Sequence, residues 1–198
     1  MMKIFVNILI SCVFVTLIMG CASSSPSRFY TLSHTTAPAL TLPATYSVSV
    51  GPVSVPAVVD RPQIVVRVGP NQVGIDEFNR WASPLKNEIA RVVAENLTSM
   101  LGTPRVTMFP QSTGADASYR VVIDVLRFDS MPGEAVTLDT VWTVRSTKEN
   151  QLRTGRANVR EPVPGNGYAP LVAAHSRAIE LMSGDIADAI RVFEKTGK

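Results

Sequence analysis

Tyr119-Arg120-Val121-Val122-Ile123-Asp124-Val125-Leu126-Arg127-Phe128 decides the fold. Tyr119, Val121, Ile123 and Val125 fall on one side of a period-two pattern, while Val122, Asp124, Leu126 and Phe128 fall on the other. Such alternation marks a strand with one face in a core. Met131-Pro132-Gly133 then turns the chain, and Val136, Leu138, Thr140, Trp142 and Val144 alternate with Thr137, Asp139, Val141, Thr143 and Arg145. Lys148-Glu149-Asn150 is a second turn, and Leu152 to Arg160 is a third, more polar strand. Short turns between successive strands imply an antiparallel meander.

Working outward, a helix precedes the meander and another follows it. Ser83-Pro84 opens the first: Ser can cap free amides, and Pro at the first helical position gives up no useful donor. Leu85, Ile89, Val92, Val93, Asn96 or Leu97, and Met100 recur at helical spacing, and Gly102 and Pro104 stop the run. Tyr168 to Glu194 carries Val172, Ile179, Met182, Ile186, Ile190 and Phe193 on one stripe. Before the first helix, Tyr46 to Val50 reads as a strand that Gly51-Pro52 breaks or bulges before Val53 to Pro56. Ile64 to Val68 is another, turned at Gly69-Pro70-Asn71 onto a short partner, Gln72 to Ile75; Val106 to Phe109 is a further short strand. The expected class is α+β, an antiparallel sheet packed against two long helices.

The amino terminus reads differently. Lys3 precedes an apolar run from Ile4 to Met19, and small residues follow at Gly20-Cys21. This is the order of a secretory signal, and it is shorter than the roughly 20 apolar residues of a membrane span. Ile18-Met19-Gly20-Cys21 resembles the bacterial lipobox, in which the cysteine thiol takes a diacylglycerol. Ala22 after the cysteine, by resemblance to the usual sorting rule, favours the outer membrane facing the periplasm. The expected organisation is a signal peptide over 1–20, a lipidated tether over 21–44 and a domain over 45–198. Ser, Thr, Pro and Ala dominate the tether, but Arg28-Phe29-Tyr30-Thr31-Leu32 is apolar enough to dock on the domain as a strand.

Formal net charge is +3, and Lys3 leaves with the signal, so the mature chain is near neutral. That argues against nucleic acid as a partner, which usually needs a concentrated basic face. The two cysteines are Cys12, inside the signal, and Cys21, consumed by lipid. The mature domain therefore has no thiol for a disulfide, a metal site or nucleophilic catalysis.

No catalytic or metal-ligand pattern is visible, and no cofactor is expected. His34 sits in the tether and reads as inert; His175 sits on the apolar stripe of the last helix and reads as packed. Asp124 and Asp129 flank Arg127 and read as cross-strand ion pairs. Arg153, Arg156 and Arg160, with Arg145 opposite, either form a basic strip for lipid phosphates or an acidic partner, or are the solvated face of an edge strand. Phe78, Arg80 and Trp81, just before the first helix, are candidates for partner binding, because aromatic residues and Arg are enriched at interfaces. Trp81 reads equally well as core.

Gly51-Pro52-Val53-Ser54-Val55-Pro56, Asp60-Arg61-Pro62-Gln63-Ile64-Val65, Phe78-Asn79-Arg80-Trp81-Ala82-Ser83-Pro84-Leu85 and Tyr119-Arg120-Val121 stand in that order after a lipobox. Together with Arg28-Phe29-Tyr30-Thr31-Leu32 they resemble the paraquat-inducible protein C-like family, the ABC-type transport auxiliary lipoproteins. The resemblance runs over nearly the whole mature chain. It implies a non-catalytic outer-membrane lipoprotein whose partners are an inner-membrane MCE-domain protein and its integral membrane component, in a system carrying lipids between membranes. A neighbouring copy of the same chain is a further partner for the Phe78 segment. Two other classes stay open: an envelope assembly-factor lipoprotein, like those of lipopolysaccharide export, and a lipid-anchored periplasmic hydrolase.

Overall fold

The computed structural model describes residues 26–34, 44–110 and 116–196. The signal, Cys21 and part of the tether lie outside the described residues. Strand pairing sorts the rest into two sheets. Strands β1 (Arg28–Tyr30), β3 (Gln63–Gly69) and β4 (Gln72–Trp81) form a small sheet in the order β1-β4-β3. Strands β2 (Val48–Ser54), β5 (Val106–Met108), β6 (Tyr119–Met131), β7 (Ala135–Ser146) and β8 (Gln151–Pro162) form a larger one in the order β5-β2-β6-β7-β8. Helices α1 (Leu85–Leu101) and α2 (Tyr168–Thr196) complete the domain.

The α+β class and the two helices are as expected, and β6, β7 and β8 form the antiparallel meander. The larger sheet is nevertheless mixed, not antiparallel. β2 lies between β5 and β6 and runs parallel to both. The chain between β2 and β5 contains a hairpin and a helix, and a long crossover of that kind permits parallel pairing where a tight turn does not. Turn residues in the sequence reveal only consecutive neighbours. The Gly51-Pro52 irregularity is a register shift in the pairing of β2 with β6, between Val50 and Val53.

One face of the larger sheet is covered by the helices. Val121, Ile123, Leu138 and Val144 face the core, as do Ile89, Val92 and Leu97 of α1 and Ile179, Met182, Ile186 and Ile190 of α2, all fully buried. Asn96 Nδ2 donates to Ser183 Oγ at 3.2 Å where the helices meet. α1 ends at Gly102, whose φ of 66° is left-handed and whose N–H bonds the Thr98 carbonyl. Its start departs from expectation. Pro84 is the N-cap, with no side-chain capping bond, and the Ser83 hydroxyl reaches Glu88 Oε1 instead, at 2.5 Å.

β4 is much longer than the short partner expected from Gln72 to Ile75. Its second half has no alternation because Asp76 folds it locally: one carboxylate oxygen accepts the Phe78 and Asn79 amides, both at 2.8 Å. The other accepts the Tyr168 hydroxyl at 2.7 Å, which pins β4 to the start of α2. Burial raises the Asp76 pKa, but these bonds outweigh it and hold the group below its ordinary value. At the opposite edge, Arg67 forks onto Asp129 of β6 at 3.0 and 3.2 Å, which ties the small sheet to the large one.

Candidate functional site

Three stretches that are far apart in the sequence meet at the end of β4. Arg28–Tyr30 runs parallel to Asn79–Trp81, and the Ala82 amide donates to the Tyr30 carbonyl at 2.8 Å. The Trp81 amide donates to the Pro62 carbonyl at 2.7 Å, which brings in the turn over residues 57–62. Phe29, Asp60, Arg61, Pro62, Arg80 and Lys86, with Trp81 to Pro84, enclose an open groove of about 480 Å³. Pro62 and Pro84 restrict the backbone on either side.

Its charges are unevenly satisfied. Lys86 meets Asp60 at 3.4 Å, with both side chains exposed. Arg80 meets Glu77 at 3.5 Å. Arg61 Nε is buried and has no partner among the described residues. A buried donor left without an acceptor costs free energy.

Behind the groove a clip holds the leader segment to α1. Glu88, 5% exposed, accepts the Leu32 amide at 3.0 Å and the Arg91 guanidinium at 2.8 Å. Arg91 returns a bond to the Leu32 carbonyl at 2.5 Å and also meets Glu95 at 2.9 Å. Leu32 therefore has both backbone groups held, and its side chain is fully buried. Burial pushes the Glu88 pKa up, but the Arg91, Ser83 and Leu32 bonds outweigh it and hold the carboxyl below its ordinary value. His34, expected to be inert, meets Glu95 at 3.3 Å beside this clip.

The Ser83 and Ser130 hydroxyls each sit beside a group that resembles a base, and neither is activated. Ser83 donates to Glu88, a carboxylate already saturated by Arg91 and Leu32, and so a weak base. Ser130 Oγ lies 2.8 Å from His175 Nε2, but both residues are buried. The imidazole stacks on Phe128 at 3.9 Å, and its Nδ1 has no orienting acceptor among the described residues. Burial pushes its pKa down to about 3, so it is neutral at ordinary pH. His175 is a packed residue, as its place on the apolar stripe suggests.

The other expected site residues separate. Trp81 is 5% exposed and packs edge-on to Phe128, so of the two readings it is core, although its ring also floors the groove. Phe78 is 43% exposed, and Arg80 lies on the groove rim. The basic strip does not form as one surface. In β8, Arg156 and Arg160 share a face, whereas Arg153 stands on the opposite one, opposite Val144. Arg156 forks onto Asp139 at 2.7 and 2.8 Å, and Arg160 meets Glu134 at 2.6 Å, so two of the three are neutralised on the sheet. Asp129 is paired with Arg67 and Arg127, while Asp124 accepts the Ser54 hydroxyl at 2.7 Å. Glu88, Arg91 and Arg61 were not singled out as site residues; the only sequence signal was their place in or beside the quoted blocks. Among the described residues, no cluster of three or more His, Cys, Asp or Glu side chains could hold a metal ion. No helix there is long and apolar enough to cross a membrane.

Apart from Phe29, the groove and the clip fall within a recognised family unit. The family model described as the ABC-type transport auxiliary lipoprotein component matches residues 30–187. The chain belongs to this family. The auxiliary-lipoprotein fold has solved counterparts. One is a crystal structure of an uncharacterised protein, 22% identical, with a TM-score of 0.69 over 84% of this chain and 99% of that one. Another is a Xanthomonas campestris protein from a domain family of unknown function, 18% identical, with a TM-score of 0.70 over 86% and 98%. At these identities the likeness shows the fold of the auxiliary lipoprotein and nothing further. No curated protein matches the chain significantly.

Proposed function

We propose that this auxiliary lipoprotein is a non-catalytic docking subunit of an MCE-type intermembrane lipid transporter, acylated at Cys21 and held on the outer membrane facing the periplasm. Its partners are then the inner-membrane MCE-domain protein and the integral membrane component. The observation that carries this reading is an opposition of two ends on one strand. The Trp81 end of β4 is joined to the leader that follows the anchor. The other end is the β3–β4 hairpin tip, about 20 Å away at the rise of the seven-residue β3 that runs alongside. There Val68 is exposed on one face of the ribbon, and Val73 and Ile75 on the other. An apolar ribbon wetted on both faces is a docking surface without its partner. Phe78 extends the exposed apolar run toward the groove. With the Ser83 and Ser130 hydroxyls unactivated and His175 enclosed, these residues suit holding a partner rather than chemistry.

The test is affinity purification of the acylated protein from envelopes after cross-linking. The native chain should bring down an MCE-domain protein. The pair of changes Val73→Asp and Ile75→Asp should abolish that at unchanged melting temperature and unchanged fatty-acid labelling. Recovery of a β-barrel component instead would replace this reading with the assembly-factor one. Cys21→Ser should remove fatty-acid labelling, and persistent labelling would end the lipoprotein anchor.

A further inference from the structure

The groove lies close to where the proposed anchor enters the bilayer. Phe29 stands eight residues after Cys21. Eight residues span at most about 29 Å when fully extended, so the groove cannot lie farther than that from the lipid surface if Cys21 is acylated. On this side Phe29 is 64% exposed and Val58, in the turn that carries Arg61, is 45% exposed. Arg28 is exposed on β1, and Arg61, Arg80 and Lys86 ring the groove. The acids within reach are Asp60 and Glu77, so the cations outnumber them two to one. Large apolar side chains beside arginines and a lysine, over a tryptophan floor, are the composition of a membrane interface.

We propose that the groove and its rim seat directly on an anionic phospholipid surface, with Arg61 and Lys86 taking headgroup phosphates while Phe29 and Val58 enter the edge of the acyl layer. This rests on the lipid-anchor reading above and adds a second, non-covalent contact to it. The guanidinium suits the role because it forks onto phosphate oxygens, and Arg61 is only partly buried in the groove wall. The diacylglycerol anchor holds the chain on the bilayer by itself, so what the second contact supplies is orientation. The contact fixes the tilt of the domain and aims the hairpin tip away from the bilayer.

The test uses the full mature lipoprotein. Its only native cysteine is acylated, so Ala82→Cys, an exposed position in the groove, accepts a single environment-sensitive dye. Val73→Cys, at the far end of β4, is the control. Proteins are reconstituted in vesicles of phosphatidylcholine alone or mixed with phosphatidylglycerol, and an aqueous quencher is added. Flotation with phosphatidylcholine vesicles reads the anchor alone, so loss of flotation condemns the anchor reading and not the groove. In phosphatidylglycerol vesicles the dye at position 82 should shift to the blue and resist quenching, and the dye at 73 should not. Salt should reverse the protection by screening. Arg61→Gln and Lys86→Gln should each lower the ratio of protected to exposed dye by about fivefold, at unchanged melting temperature. A dye at 82 as quenchable as that at 73 would overturn the proposal, as would protection that arises only when an MCE-domain protein is added. Equal protection in both vesicle types would refute the headgroup contact.

Discussion

Glu88→Gln tests the clip that joins the leader to the domain. The native carboxylate serves three donors at once, from Leu32, Ser83 and Arg91. The amide keeps one acceptor oxygen and loses the charge. Removing one partner of a buried ion pair costs about 3–5 kcal/mol. Here Arg91 is 34% exposed and keeps both Glu95 and the Leu32 carbonyl, so the loss should be nearer about 2–3 kcal/mol. For a domain of this size that corresponds to a drop of about 5–10 °C in melting temperature. Hydrogen exchange should localise it: the Leu32 and Ala82 amides should lose protection before those of the β6–β8 meander. Glu95→Gln removes only the exposed side of the network and should cost about 0.5 kcal/mol. The Glu88 pKa lies below its ordinary value of 4.5 in the folded state. Its stabilisation is therefore present above about pH 4.5 and lost as acid protonates it, and the glutamine variant should lack that component. A Glu88→Gln protein that melts like the native one, with Leu32 still protected, would refute the clip.

His175 should give the domain a separate acid sensitivity. Its folded pKa, about 3, lies below the ordinary 6.5 because burial disfavours the cation, so the unfolded chain binds the extra proton between those values. Stability should be unaffected above about pH 6.5 and fall by up to about 1.4 kcal/mol per pH unit below it. His175→Ala should cost about 2–4 kcal/mol at pH 7 through the cavity left beside Phe128, yet flatten the profile between about pH 6.5 and 4.5. An unchanged slope in chemical denaturation would discount the histidine. Gly155→Ala should be destabilising by about 1–3 kcal/mol or more, because its Cβ would lie 2.6 Å from Trp142 Cε2 and closer still to Cζ2. Adding Trp142→Phe should recover part of that loss, so a double-mutant cycle that is additive would contradict the packing described.

What the sequence disclosed follows the range of the interactions involved. The meander was legible because its turns join neighbours and its alternation exposes which side is buried. α1 was legible from Leu85 to Gly102 because amphipathic spacing and a left-handed glycine are local properties. Arg28–Leu32 was legible as a docking segment from its apolar residues in a polar stretch. The parallel seat of β2 was not, since it depends on which strands a helix crossover brings back. The Asp76 turn hid the second half of β4, because a side chain bonding its own backbone leaves no periodic trace. The arginine strip failed on simple parity: Arg156 is three positions after Arg153, an odd offset that places them on opposite faces. The groove was half legible. Its lining residues stood in the quoted blocks, but the clip joins Glu88 to a backbone amide 56 residues away, and no spacing rule reaches that far.

The parallel pairing of β1 with β4 has a mechanical consequence. If the chain is acylated at Cys21 and bridges two membranes as proposed, tension between them would enter this domain at the start of β1. Pulling there draws the strand along its own axis. The bonds to β4 lie across that axis and are strained together, in shear, instead of opening one at a time as in a zipper. The Glu88–Arg91 clip grips the chain beyond the far end of the strand, so it bears load only after β1 has begun to slide. The domain therefore has two restraints in series against a pull from the proposed anchor, and the second engages only when the first yields.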